Sequence, residues 1–233
     1  MHRSLKTRIR ACMQHPMISA MRTTALAIIS PPYCAACNVV LSERLVFCSA
    51  CSDRIQPIVS TTIPLNAEHA IRVFAIADYQ EPLKRLIIAK AWSDIVAGYQ
   101  LGQLIWERTH IAQVNFDCIV PIPLHWTRYA WRGFNQAEEM AQFLAHASGK
   151  PMVNIVKRHR STPFQSRVLA SDRATNVKNV FTLASKNPQQ YAGKHILLVD
   201  DLMTTGSTLK EAGKALLRLK PATITAVVAC RVI

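Results

Sequence analysis

Apolar positions along the 233-residue chain switch repeatedly between a two-residue and a 3.6-residue period. Residues 71–77, 118–122, 152–156, 196–199 and 223–229 are short apolar runs that predict strands, while 82–90, 95–108, 135–147 and 207–220 carry the spacing of helices with one buried face. Alternation of this kind predicts a parallel α/β sheet wrapped by helices. There is no internal repeat and no low-complexity stretch. One interval, 157–194, is basic, polar and without a clear period, and intervals of that length in compact domains are usually functional or mobile.

The most specific chemistry lies at the junction "ILLVDDLMTTGST", residues 196–208, where an apolar run meets two adjacent carboxylates and a polar turn. Leu209, Ala212, Leu216 and Leu219 then resume helical spacing. In an open parallel sheet, ligands bind beyond the carboxyl ends of the strands, so Asp200 and Asp201 are expected just past the strand. Thr204, Thr205, Gly206, Ser207 and Thr208 would line the turn into the helix. Backbone N–H groups at a helix start, helped by these hydroxyls, cradle a phosphate, and Gly206 permits close backbone approach. The two acids would repel that phosphate and suit the hydroxyls of a sugar instead. An ATPase-type loop needs G-x-x-x-x-G-K-[ST], which this stretch lacks. A receiver-type acidic pocket would open a domain, whereas 32 residues follow Asp201. An ordinary connection would not need hydroxyls at four of the five positions 204–208.

Cysteine usage is uneven. Cys34 and Cys37 form one C-x-x-C and Cys48 and Cys51 a second, ten residues later, whereas Cys12, Cys118 and Cys230 are scattered. Two such knuckles suit one tetrahedral Zn, and four thiolates leave no open position for water, so the role would be structural. A redox C-x-x-C needs only one pair, and structural disulfides are uncommon without an export signal. The scattered cysteines have apolar neighbours or lie in the basic leader, and read as inert filling.

Charge narrows the partner class. The 28 Lys and Arg against 14 Asp and Glu give a net charge of +14, which favours an acidic partner such as nucleic acid, a phosphorylated metabolite or anionic lipid. No apolar run reaches the ~18 residues of a membrane span, so a soluble protein is expected. Residues 1–22 hold Arg3, Lys6, Arg8, Arg10 and Arg22 without an acid, with Leu5, Ile9, Met13 and Met17 at every fourth position and Pro16 interrupting. This leader reads as an extension or surface helix, with membrane or DNA contact as the alternative.

The 196–208 stretch is similar to the phosphoribosyl diphosphate signature. Together with the four cysteines, "VPIPLHWTRYAWRGFNQAEEMA" and "RSTPFQSRVLASDRATNVKNVFTL", it resembles the ComF family of phosphoribosyltransferase-like competence proteins, from Pro32 to the end. One departure is Ala91-Trp92-Ser93-Asp94, where relatives tend to carry a basic, glycine-bearing turn. The resemblance implies a type I phosphoribosyltransferase-like parallel sheet flanked by helices, with a small N-terminal zinc module in place of a base-selecting hood. The implied organisation is a basic leader at 1–30, the zinc module at 31–60 and the phosphoribosyltransferase-like domain at 61–233.

By the same resemblance, Asp200 and Asp201 would meet the ribose hydroxyls and act as the catalytic pair, and Thr204, Thr205, Gly206, Ser207 and Thr208 would hold the 5-phosphate. Diphosphate would lie near Pro121, Ile122, Pro123 and Leu124, with Arg132 as a contact, and Mg would bridge diphosphate and ribose oxygens. Gln165, Arg173 and Asn176 also match the family pattern. The implied role is a cytoplasmic factor for natural transformation that binds phosphoribosyl diphosphate and single-stranded DNA, with Arg158, Arg160, Arg167 and Arg173 as the DNA surface. Other competence proteins and the inner membrane surface are further implied partners, with membrane association. The alternative is an active phosphoribosyltransferase of nucleotide or base salvage, whose acceptor no stretch of sequence identifies. Trp126, Trp131 and Phe134 read as packing rather than base-stacking residues.

Overall fold

The computed structural model describes residues 32–89, 95–124, 129–130, 133–159, 180–184 and 187–232. The leader, Trp126, Trp131, Arg132 and the stretch 160–179 with Arg160, Gln165, Arg167, Arg173 and Asn176 lie outside the described residues. The chain divides into two compact units, 1–52 and 53–233.

The second unit is built on a five-stranded sheet. Its strands are β1 (Thr61–Pro64), β2 (Ala70–Asp78), β3 (Cys118–Pro121), β6 (His195–Met203) and β7 (Thr223–Arg231), in the order β1-β2-β7-β6-β3. Only β1 runs antiparallel to its neighbour; β2, β7, β6 and β3 are mutually parallel. A separate antiparallel pair, β4 (Val156–Arg158) with β5 (Phe181–Leu183), interrupts the interval expected to be irregular.

The central strands are apolar on both sides because both sides are covered. On one face Ile71, Val73, Val120, Ile196, Leu198, Ile224 and Val228 pack with Val156, Phe181 and the apolar stripe of α5 (Ser207–Leu217), formed by Leu209, Ala212 and Leu216. The other face carries α3 (Ile95–Arg108) and α4 (Gln136–Ser148). The short α1 (Ser49–Ser52) belongs to the first unit, and α2 (Leu83–Ala89) follows β2.

The two helices on that face approach at a Gly98-x-x-x-Gly102 step. A Cβ at Gly102 would stand 2.9 Å from the carbonyl oxygen of Met140 and 2.8 Å from Phe143 Cβ, and one at Gly98 would stand 2.7 Å from Glu139 Cβ. Glycine is what allows this backbone approach. Tyr99 meets Phe143 edge to face beside it, at 4.9 Å between ring centroids.

Three expectations need correction. Residues 152–156 do not form a strand: Met152 makes an isolated parallel bridge to Ile119, and regular pairing starts only at Val156. The helix expected over 207–220 ends at Leu217, since Lys220 turns to φ 50 ahead of Pro221, and a residue before proline is disfavoured in the helical region. The acidic pair lies within its strand rather than past it. Asp200 pairs with Val228, Leu202 with Cys230 and Met203 with Arg231, because ladder bonds use the backbone whatever the side chain.

Candidate functional site

In the first unit, the knuckle at Cys34 is closed by backbone bonds: the Cys34 N–H donates to Val39 O and the Asn38 N–H to Cys34 O, both at 2.9 Å. Asn38 takes φ 61, a left-handed turn that asparagine tolerates. The second knuckle is the helical turn α1, where the Ser52 N–H donates to Cys48 O at 2.8 Å. The sulfurs of Cys34, Cys37, Cys48 and Cys51 all lie within 4.8 Å of one another. Cys37 Sγ and Cys48 Sγ are 3.7 Å apart, which matches the ~3.8 Å that follows from tetrahedral Zn–S bonds of about 2.3 Å.

Burial pushes the Cys34 thiol up, but N–H groups of Cys37, Cys48 and Ala36 and the Cys37 thiol outweigh it and bring Cys34 down to about 6. Burial, with the neighbouring thiols of Cys48, Cys37 and Cys34, pushes Cys51 up to about 12. Four sulfurs so close are costly to ionise together without a cation, and the set fits a structural zinc.

The second cluster stands at the carboxyl edge of the sheet. Asp200 lines a shallow hollow of about 20 Å³ together with Thr204, Thr205, Gly206, Ser207 and Thr208. Strand alternation turns Asp201 to the opposite face, while its backbone N–H donates to Asp200 Oδ1 at 2.9 Å. Gly206 sits at φ 72 immediately before α5, with Ile63 Cδ1 of β1 2.7 Å from where a Cβ would be. Thr205 Oγ1 and Ser207 Oγ lie 2.6 Å apart. No side chain caps α5 from Gly206, and the first N–H groups of a helix have no intrahelical acceptor, so the turn presents donors to the hollow.

Beside it, Pro121 pairs with Val199 and the Ile122 N–H donates to Val199 O at 2.9 Å, which sets the exit of β3 next to the acidic pair. Asn135 fixes the return: its Nδ2 donates to Ile122 O at 3.0 Å while its Oδ1 accepts from the Ala137 N–H at the start of α4. Phe134 is buried, a packing residue as expected.

Arg158, grouped by charge with the solvent-facing basic residues, is only 7% exposed, with its guanidinium 5.6 Å from the centre of the Phe181 ring. In this arrangement it serves the β4–β5 pair. Tyr79, at the exit of β2, was not singled out by sequence. Burial, then the neighbouring Cys230, Asp201 and Glu81, push its phenol up. Its only signal in sequence is its position directly after a strand. No described helix is long and apolar enough to cross a membrane.

Residues 129–233 match the Phosphoribosyl transferase domain family. Competence protein F of Haemophilus influenzae is 35% identical over 202 residues, 82% of this chain and 81% of that protein. The DNA utilization protein YhgH of Salmonella typhimurium is 32% identical over 213 residues, 85% of this chain and 89% of that protein. Competence protein ComFC of Bacillus subtilis is 35% identical over 99 residues, covering 42% of this chain and 38% of that protein. With two of these relatives matched across more than four fifths of their length and a mostly parallel sheet ending in the acidic pair and hydroxyl turn, this chain belongs to the ComF family, with a phosphoribosyltransferase-like α/β fold and a four-cysteine cluster.

Proposed function

We propose that this chain is a DNA-uptake factor whose main unit binds phosphoribosyl diphosphate with Mg and whose basic surface handles single-stranded DNA. The names of its relatives, competence protein and DNA utilization protein, support the biological role. The observation that carries the ligand is the acidic pair on β6 leading directly into the hydroxyl turn at the start of α5. On the face of the hollow, Asp200 accepts from a ribose hydroxyl and the turn at 204–208 holds the 5-phosphate, while Asp201, on the other face of β6, steadies the Asp200 carboxylate through its backbone N–H. The exit of β3 faces the diphosphate, with Arg132 as its counter-charge. Hard oxygen donors of this kind suit Mg, which favours one or two carboxylates plus substrate phosphates. Bound there, Mg would neutralise diphosphate charge.

Calorimetry with phosphoribosyl diphosphate and Mg tests this reading. Asp200→Ala is expected to weaken binding about ten- to a hundred-fold, since hydrogen bonds to charged groups are worth roughly 1.5–3 kcal/mol, and Asp201→Ala to weaken it less. Unchanged affinity would remove the sugar from this site.

For DNA, the surplus of positive charge is the argument, and Arg160, Arg167 and Arg173 are its candidates in the interval whose only acid is Asp172. Single-strand affinity should fall linearly with log salt, at a slope of about 0.7 per phosphate neutralised. Replacing the three arginines by Gln should flatten that slope and reduce transformation together. A slope unaltered by the triple replacement would move the DNA surface elsewhere, with the leader as the next candidate.

A further inference from the structure

The amino edge of the sheet, opposite the acidic pair, carries a row of lysines. Lys220 precedes β7, Lys194 precedes β6 and Lys150 follows α4. Backbone bonds hold them side by side. The Gly193 N–H donates to Lys220 O at 3.0 Å and the Ala222 N–H to Lys194 O at 2.9 Å, which joins the entries of β6 and β7. The Ile119 N–H donates to Pro151 O at 3.0 Å and Met152 bridges Ile119 in parallel, so Lys150 enters beside the start of β3. Along the edge the order is therefore Lys220, Lys194, Asp117 and Lys150, on neighbouring segments. At about 4.8 Å per strand, the row is about 15 Å long. Beyond it the edge passes to β2, preceded by Glu68.

All three lysines are exposed, and none is in an ion pair among the described residues. The carboxylate in the row, Asp117, is already engaged, since its Oδ2 accepts from the His195 N–H at 2.8 Å. That N–H first, and the Lys194, His195 and Lys150 side chains after it, hold its carboxyl below the usual carboxylate range against the cost of burial. Three lysines beside one aspartate leave a surplus of positive charge. Among the described residues, no exposed large apolar side chain lies in the row, so a lipid surface would find no anchor there. A row suits a polymer of anions better than a single small one, with successive phosphates meeting successive lysines. We propose that this row binds the sugar-phosphate backbone of single-stranded DNA, at the edge of the sheet opposite the phosphate hollow. The proposal rests on the DNA reading above and adds a contact surface separate from Arg160, Arg167 and Arg173. Sheets twist, and a flexible single strand follows a twisted edge where a stiff duplex does not.

Fluorescence anisotropy of a labelled oligothymidylate, measured on the full chain across a salt series, tests the row. The variant carries Lys150→Gln, Lys194→Gln and Lys220→Asn, since asparagine accepts the left-handed φ of 50 at Lys220. Its affinity should fall about tenfold or more near physiological salt, and its salt slope by about 2, from three lysines at about 0.7 each. The matching arginine variant should keep the slope, and phosphoribosyl diphosphate should bind both variants as it binds the unaltered chain. A slope that does not fall in the first variant overturns the row, whatever the affinity. If only replacement of Arg160, Arg167 and Arg173 lowers it, the DNA reading stands and the row falls; if the unaltered chain binds no oligothymidylate, both fall. Phosphatidylserine vesicles serve as the second probe. Vesicle binding lost in the variant while oligothymidylate is retained would make the row a lipid surface and overturn the proposal. Should the triple variant melt early, Lys150→Gln with Lys194→Gln decides the same comparison, with an expected slope change of about 1.4.

Discussion

At Gly206 two demands meet in one residue: a φ of 72 and a β1 side chain, Ile63, pressed 2.7 Å from the place of a Cβ. An alanine there is strained by its backbone and crowded by Ile63. Gly206→Ala should therefore cost about 1–3 kcal/mol in urea unfolding, the range of backbone strain and overpacking. It should also weaken phosphoribosyl diphosphate, because the turn would open to relieve the contact. The glycine and its hydroxyl neighbours were legible in sequence because a turn is local. Ile63 was not, since its partner lies more than a hundred residues away and nothing in a Thr-Thr-Ile-Pro edge strand names it. Tyr79 was hidden for the same reason, as the burial and neighbouring charges that raise its phenol exist only once the strands are aligned.

Among elements, the helices and parallel strands were legible from period alone, because a face buried on both sides writes a continuous apolar run. The short antiparallel pieces were not. β1, β4 and β5 are three or four residues each, too few to show a period. The closeness of α3 and α4 is equally invisible to hydrophobic patterning, since it depends on residues without a side chain. Gly102→Ala would set a methyl 2.9 Å from the Met140 carbonyl, which cannot rotate away as a side chain could. A loss of about 1–3 kcal/mol is expected. It should come with weaker ligand binding, because α4 carries Asn135 and with it the exit of β3. Thermal unfolding and calorimetry on the same variant read both effects.

In the whole molecule, the two compact units depend on different forces. The second buries an extensive apolar core, while among the described residues of the first only Cys34, Ala36, Val46, Phe47 and Cys51 are buried. The four-cysteine cluster suits a metal as the tie that holds these described residues together. The purified chain should carry one zinc by elemental analysis, and Cys34→Ser should lose it while the main unfolding transition of the second unit survives. Acid should release the metal too, because thiolates must take up protons as it leaves.

The Gly98 and Gly102 crossing also bears on how the molecule can move. Packed helices commonly adjust by sliding a little along each other, with side chains changing rotamer to keep contact. Where backbone touches side-chain root and carbonyl, there is no rotamer to change, so α3 and α4 travel as one body. The exit of β3, held to α4 through Asn135, travels with them. Any adjustment to a bound ligand would then fall to the start of α5, where Gly206 lies against the flexible end of Ile63. In hydrogen exchange, the amides of α4 should remain slow with or without ligand, while those at the start of α5 should slow when ligand binds.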